Sequence, residues 1–196
     1  MNEMAPDLRS VLRAATAPDH ARLDRAVSTL DLSVPQDYRD FLQLHAAVLL
    51  PLERWLVDNA VADDLPDWPE RSRGAALLDD LGNLQMQPAT ACSLSFDLRP
   101  FSFDNSLAVK AGMLYVLEGS RLGGRLLLRQ VQAGPAGFPT AFLEHGVETK
   151  LWPSFTVWLA RLPREEGFVT AAVASAQAVF LLYEQEARQR LRELGQ

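Results

Sequence analysis

Hydrophobic positions along the chain recur at helical spacing, and few segments alternate with the period of two that marks a strand. Leu8, Val11, Leu12 and Ala15 form a first stripe; after Pro18, His20, Leu23 and Val27 share a face. Proline is tolerated only in a first helical turn, so a break is expected near Thr16, with a new turn from about Ala17. Ser33 and Pro35 read as the start of a second helix. Its apolar face runs through Tyr38, Phe41, Leu42, His45, Val48, Leu49, Leu52 and Leu56, with a kink expected at Pro51. Asp67-Trp68-Pro69 opens a helix carrying Ala75, Leu78 and Leu81, and Asp104 is an N-cap for one carrying Leu107, Ala111, Leu114 and Tyr115. Pro153 opens another with Phe155, Trp158, Leu159 and Leu162. The clearest pattern is the last: Val169, Val173, Ala176, Phe180, Tyr183, Ala187, Leu191 and Leu194. Residues 87–103 and 133–139 read as loops. With no repeat, low-complexity tract or linker, the expectation is an all-α, single-domain helical bundle spanning residues 1–196.

Composition narrows the classes. The chain has 196 residues, 48% of them hydrophobic, which suits a core and not a disordered segment. A net charge of −6 argues against a nucleic-acid surface, which needs a basic stripe. Cys92 is the single cysteine, so no internal disulfide forms and a reducing, cytoplasmic location is expected. The N-terminal MNEMAPDLRS is not a signal peptide, and the C-terminal EARQRLRELGQ is a charged helix end. No run of about 18 apolar residues stands out, so no membrane span is expected.

The stretch 115-YVLEGSRLGG-124 places Gly119, Gly123 and Gly124 after an apolar helical run, where each glycine costs about 1 kcal/mol relative to alanine. Either the helix stops or packs tightly there, or a flat ligand lies against bare backbone. Of three histidines, His45 reads as a hydrogen-bonded core residue, and His145 as a helix-end or surface residue. His20 lies in 12-LRAATAPDHARLD-24, with Arg13 and Thr16 along one face of a continuous helix. H-E-x-x-H, C-x-x-C, E-x-x-H, G-x-S-x-G and Walker patterns are all absent from the sequence.

Taken together, LRAATAPDH and LYVLEGSRLGG resemble the proximal and distal helices of the heme oxygenases, and most of all the bacterial enzymes encoded beside bacteriophytochromes. The segment 179-VFLLYEQEARQRL-191 is similar to the family's final helix. The resemblance implies a heme oxygenase-like all-α fold. It also implies cleavage of heme, as both substrate and cofactor, by dioxygen to biliverdin, carbon monoxide and ferrous iron. His20 would be the axial iron ligand, Gly119 and Gly123 would lie over the distal face, and Gly124 would assist the bend. Leu23 and Phe180 would line the heme, and Arg13 would meet a propionate, with Lys150 and Arg121 as weaker candidates. Electrons would come from a ferredoxin or flavodoxin, because the chain has no flavin or iron–sulfur motif, and a bacteriophytochrome would accept the biliverdin. Many members of the family carry aspartate where this chain has Ser120, and a hydroxyl holds water without supplying a carboxylate's charge. A non-catalytic heme carrier and a heme-free helical interaction module remain as alternatives.

Overall fold

The computed structural model describes residues 7–88, 106–134 and 137–194, the side chains of residues 191–194 excepted. Among the described residues there are ten helices and no strand: α1 (Leu8–Val27), α2 (Pro35–Asp58), α3 (Val61–Asp64), α4 (Trp68–Arg71), α5 (Gly74–Asn83), α6 (Leu107–Gly119), α7 (Arg121–Ala133), α8 (Ala141–Glu144), α9 (Leu151–Leu159) and α10 (Glu166–Leu194). The helix α10 is the centrepiece, packing on α6, α1 and α2.

The crossing of α6 and α10 is backbone on backbone. A methyl group built on Gly112 would lie 2.0 Å from the carbonyl oxygen of Ala172, so only glycine fits. Ser175 adds a hydroxyl donor to the Val109 carbonyl at 2.7 Å. The stretch Glu166–Arg190 is long and apolar enough to cross a membrane by length and composition, contrary to the sequence reading. Its apolarity has a local use: Ala172, Ala176, Val179, Phe180, Leu182 and Tyr183 are buried in the core.

Asp7 caps α1, its carboxylate accepting from the Ser10 amide at 2.8 Å. The expected break near Thr16 does not occur, and α1 runs unbroken through Pro18. Pro18 and Ala14, whose carbonyl loses its partner, are both exposed to water, while Leu8, Leu12 and Thr16 are buried. Tertiary contacts hold the helix across the fault: Arg22 donates to Glu184 at 3.2 Å and Gln177 to the Ala15 carbonyl at 3.3 Å.

Other boundaries also differ from the sequence reading. Ser33 does not cap α2; its amide and hydroxyl both donate to Asp31, and Pro35 enters the first turn behind Val34. The helix α2 continues through Pro51. The helix expected from Trp68 through Leu81 is two, α4 and α5. Between them Glu53 accepts from the Ser72 hydroxyl (2.5 Å) and the amides of Arg73 (2.7 Å) and Gly74 (2.9 Å), which satisfies the start of α5 from outside. Ser106 caps α6; Asp104 and most of the 87–103 loop lie outside the described residues.

Candidate functional site

His20 lies on α1 with its ring 62% exposed, and its Nδ1 is 2.8 Å from the carboxylate of Asp24, one turn on. A carboxylate on Nδ1 holds that nitrogen as the donor, which leaves Nε2 with a free lone pair, the form a metal needs. Phe180 of α10 meets the imidazole edge-on, with ring centres 5.8 Å apart. Leu23 is half-buried beside the core, and Arg13 is exposed. Thr16 is turned inward, away from the exposed faces of Arg13 and His20, and its hydroxyl donates to the Leu12 carbonyl at 2.8 Å.

The three glycines of the stretch have different surroundings. The ladder is interrupted at Ser120, where α6 gives way to α7. Within α7 a methyl group built on Gly123 would meet nothing within 4 Å, so the backbone there is bare and open. Gly124 is buried instead against α8, 3.4 Å from the Leu143 carbonyl oxygen by the same construction. Gly119 opens toward Trp152, at 3.8 Å.

Arg73, invisible to the sequence reading, marks the bend. Its guanidinium donates to the Ser120 hydroxyl (2.7 Å) and the Leu117 carbonyl (3.0 Å) and lies over the Phe142 ring at 4.9 Å. Ser120 donates its own proton to the same Leu117 carbonyl at 2.7 Å. Two side-chain donors thus converge on the carbonyl where the helix parts. Arg73 is buried, and burial, then the charge of Arg121, bring its pKa down to about 10.

Arg121 is not offered to a ligand. It donates to Glu118 at 3.0 Å and to the Arg71 carbonyl, and lies 3.1 Å from His145 Nδ1. Glu118 also accepts from Arg71 (2.7 Å), itself fully buried and paired with Asp67. This interior network locks the end of α6 to α4 and α9. Lys150 remains exposed.

Beneath the bend is a cavity of about 380 Å³. Its lining includes Arg73, Ser120, Arg121, Gly124, Arg125, Lys150 and Trp152, and no carboxylate among the described residues, so it favours anionic or water-borne oxygen atoms. His45 also faces it. His45, expected as a hydrogen-bonded core residue, is half-buried among Phe41, Phe142 and Tyr183, and its Nδ1 has no hydrogen-bond partner among the described residues. Burial, then Arg73, lowers its pKa to about 3, so it is neutral.

The residues fit a heme: one exposed histidine with its orienting carboxylate, an aromatic neighbour, and open helical backbone in α7. Asp24 was within reach of the sequence, four residues after His20. Arg73 was not, because it reaches its partner across 47 positions.

No family model matches the chain. A heme oxygenase of Xanthomonas campestris pv. campestris (strain 8004) is 33% identical over 146 residues, covering 73% of this chain and 84% of that protein. The NO- and CO-bound heme oxygenase of Neisseria meningitidis has a similar structure: TM-score 0.73, 21% identity, covering 96% of this chain and 94% of that one. For heme oxygenase from Leptospira interrogans the TM-score is 0.68 at 20% identity, covering 94% of this chain and all (100%) of that one. The two structures share the all-α fold.

Proposed function

Because the chain belongs to the heme oxygenase family, an enzyme family that degrades heme, we propose that it cleaves heme to biliverdin, carbon monoxide and ferrous iron, with His20 as the iron ligand. Heme, both substrate and cofactor, supplies the iron at which dioxygen is bound and reduced. The observation that carries the assignment is the His20–Asp24 pair, which leaves Nε2 of an exposed ring free as a ligand.

Leu23 and Phe180 form apolar walls beside His20, and Arg13 pairs with a propionate. On the opposite side, bare backbone at Gly119 and Gly123 would leave room for a flat ring. The proton supply there has no carboxylate at position 120. The Ser120 proton is committed to Leu117 and one of its lone pairs to Arg73, so the hydroxyl accepts from water and does not donate to it. Arg73, through Ser120, would therefore order and polarise water on that side. Gly124 sets the seat of α7 on α8. A ferredoxin- or flavodoxin-type protein supplies electrons, and a bacteriophytochrome in the same cytoplasm takes the biliverdin.

The test is hemin titration followed by reduction and air. A Soret band that decays into the broad red absorption of biliverdin supports the reading, with His20→Ala abolishing the axial-ligand spectrum. A Soret band that persists under reductant and air would leave a heme carrier, and no Soret band would remove heme altogether.

A further inference from the structure

We propose that Trp152 is the residue that fixes the in-plane rotation of heme and so selects which meso carbon is oxidised. The inference rests on the heme-cleaving reading above. It starts from an asymmetry between two glycines on either side of the Ser120 junction, the last residue of α6 and the third of α7. A methyl group built on Gly123 touches nothing within 4 Å, but one built on Gly119 would lie 3.8 Å from Cζ3 and 4.0 Å from Cη2 of Trp152. The backbone is open at Gly123 and stopped at Gly119 by the benzo edge of an indole, at ordinary van der Waals distance.

That indole is held in place. Trp152 occupies the first turn of α9, immediately before Pro153, whose ring fixes its own φ. Its ring packs against Tyr115 (centres 6.3 Å apart) and Phe155 (5.8 Å). The Arg9 guanidinium lies over it, 5.7 Å from the ring centre. A ring held by an α6 side chain, an α9 side chain and an α1 cation is a wall, not a movable plug.

Heme carries its two propionates on one edge and methyl and vinyl groups on the others. The cations Arg9, over the indole, and Lys150, two residues before it, stand at the Trp152 end. A heme sliding in over Gly123 meets the indole with one edge, and that end favours the carboxylate edge. Rotating the ring by one pyrrole would drive a different set of substituents into the indole and take the propionates from the cations. One seating is therefore favoured, and with it one meso carbon beneath the bent helix.

The experiment compares wild type, Trp152→Ala, Trp152→Phe and Trp152→Leu in two readouts. The first is the ratio of biliverdin isomers separated after turnover. The second, independent of turnover, is the set of heme methyl proton resonances in the cyanide-bound ferric complex, which reports each seating separately. Trp152→Ala is expected to raise the minor isomer about tenfold or more and to show a second set of methyl resonances. Trp152→Phe keeps a flat wall and retains the wild-type pattern. Trp152→Leu retains apolar bulk without the plane and gives the mixed pattern even if the alanine variant folds poorly. An isomer ratio and methyl pattern unchanged in Trp152→Ala and Trp152→Leu would overturn the proposal. Wild type that binds hemin but makes no biliverdin would defeat the proposed reaction, and the methyl resonances would still decide whether Trp152 sets the seating.

Discussion

Asp24 stands one helical turn after His20, with its carboxylate 2.8 Å from Nδ1. The pair is more than half exposed, so its worth lies in orienting the ring and choosing the tautomer, not in stability. Replacing Asp24 by alanine is expected to leave the melting temperature unchanged and to weaken hemin binding by roughly 10- to 100-fold, the range found for partners that orient a ligating histidine. The iron–histidine stretching frequency of the reduced complex should fall as well. Wild-type affinity together with a wild-type stretch would show that Asp24 does not orient the ligand.

Arg73 tests the distal side. Among the described residues its guanidinium hydrogen-bonds no carboxylate, so Arg73→Met breaks no direct ion pair, although it takes a cation away from buried Glu118 and Glu53. The variant should fold and bind hemin within a few-fold of wild type, and turn over about a hundredfold more slowly, the effect typical of losing one preorganised donor. Ser120→Ala should cost much less, because the hydroxyl proton is already bound to Leu117. A larger loss from Ser120→Ala than from Arg73→Met would reverse the assignment of these two residues.

The imidazole of His45, its Nδ1 shielded from water and without a partner among the described residues, predicts an acid weakness. Its pKa drops from 6.5 to about 3, chiefly through burial and secondly through Arg73. Below pH 6.5 the unfolded chain takes up a proton that the folded chain refuses until about pH 3. The unfolded state binds more protons across that window, so stability falls as pH falls through it. From pH 7 to pH 5 this contributes a loss of about 2 kcal/mol. His45→Gln has no such group, and its urea midpoint should fall less over the same interval. Equal losses in the two proteins would place the acid sensitivity elsewhere.

Gly112 carries a packing prediction. A side chain there would overlap the Ala172 carbonyl at 2.0 Å, so Gly112→Ala forces two main chains apart. Overpacking of this kind costs roughly 1–3 kcal/mol. Thermal unfolding should show a clear drop in melting temperature, and an unchanged one would mean that α6 and α10 have room to separate.

Much of the helical pattern is legible in the sequence, because long amphipathic segments such as the one from Val169 to Ala187 record their buried face in spacing alone. The boundaries that failed did so where distant groups intervene. Pro18 should break a helix by local rules, and does not, because α10 holds both halves. The chain breaks at Ser72 because Glu53, 19 to 21 positions earlier, collects its donors. The site divides in the same way. His20 and the glycines announce themselves by residue type and local spacing, and Asp24 is one helical turn from notice. Arg73 and Trp152 derive their meaning from what folding sets beside them, and a lone arginine or tryptophan carries no local mark of that.

The contact between Gly112 and Ala172 also bears on how this enzyme can diverge. Side chains can be lengthened or trimmed one carbon at a time, giving selection a graded scale. Where main chain rests on main chain, that scale has already reached its lowest mark. The distance between α6 and α10 is thus a quantity with no fine adjustment downward, and substitution at the crossing only widens it. On the proposed heme seating, change in product would have to be written at the margin, in residues such as Trp152, Arg9 and Lys150, while the spacing between the two helices stays as a ruler inherited with the fold.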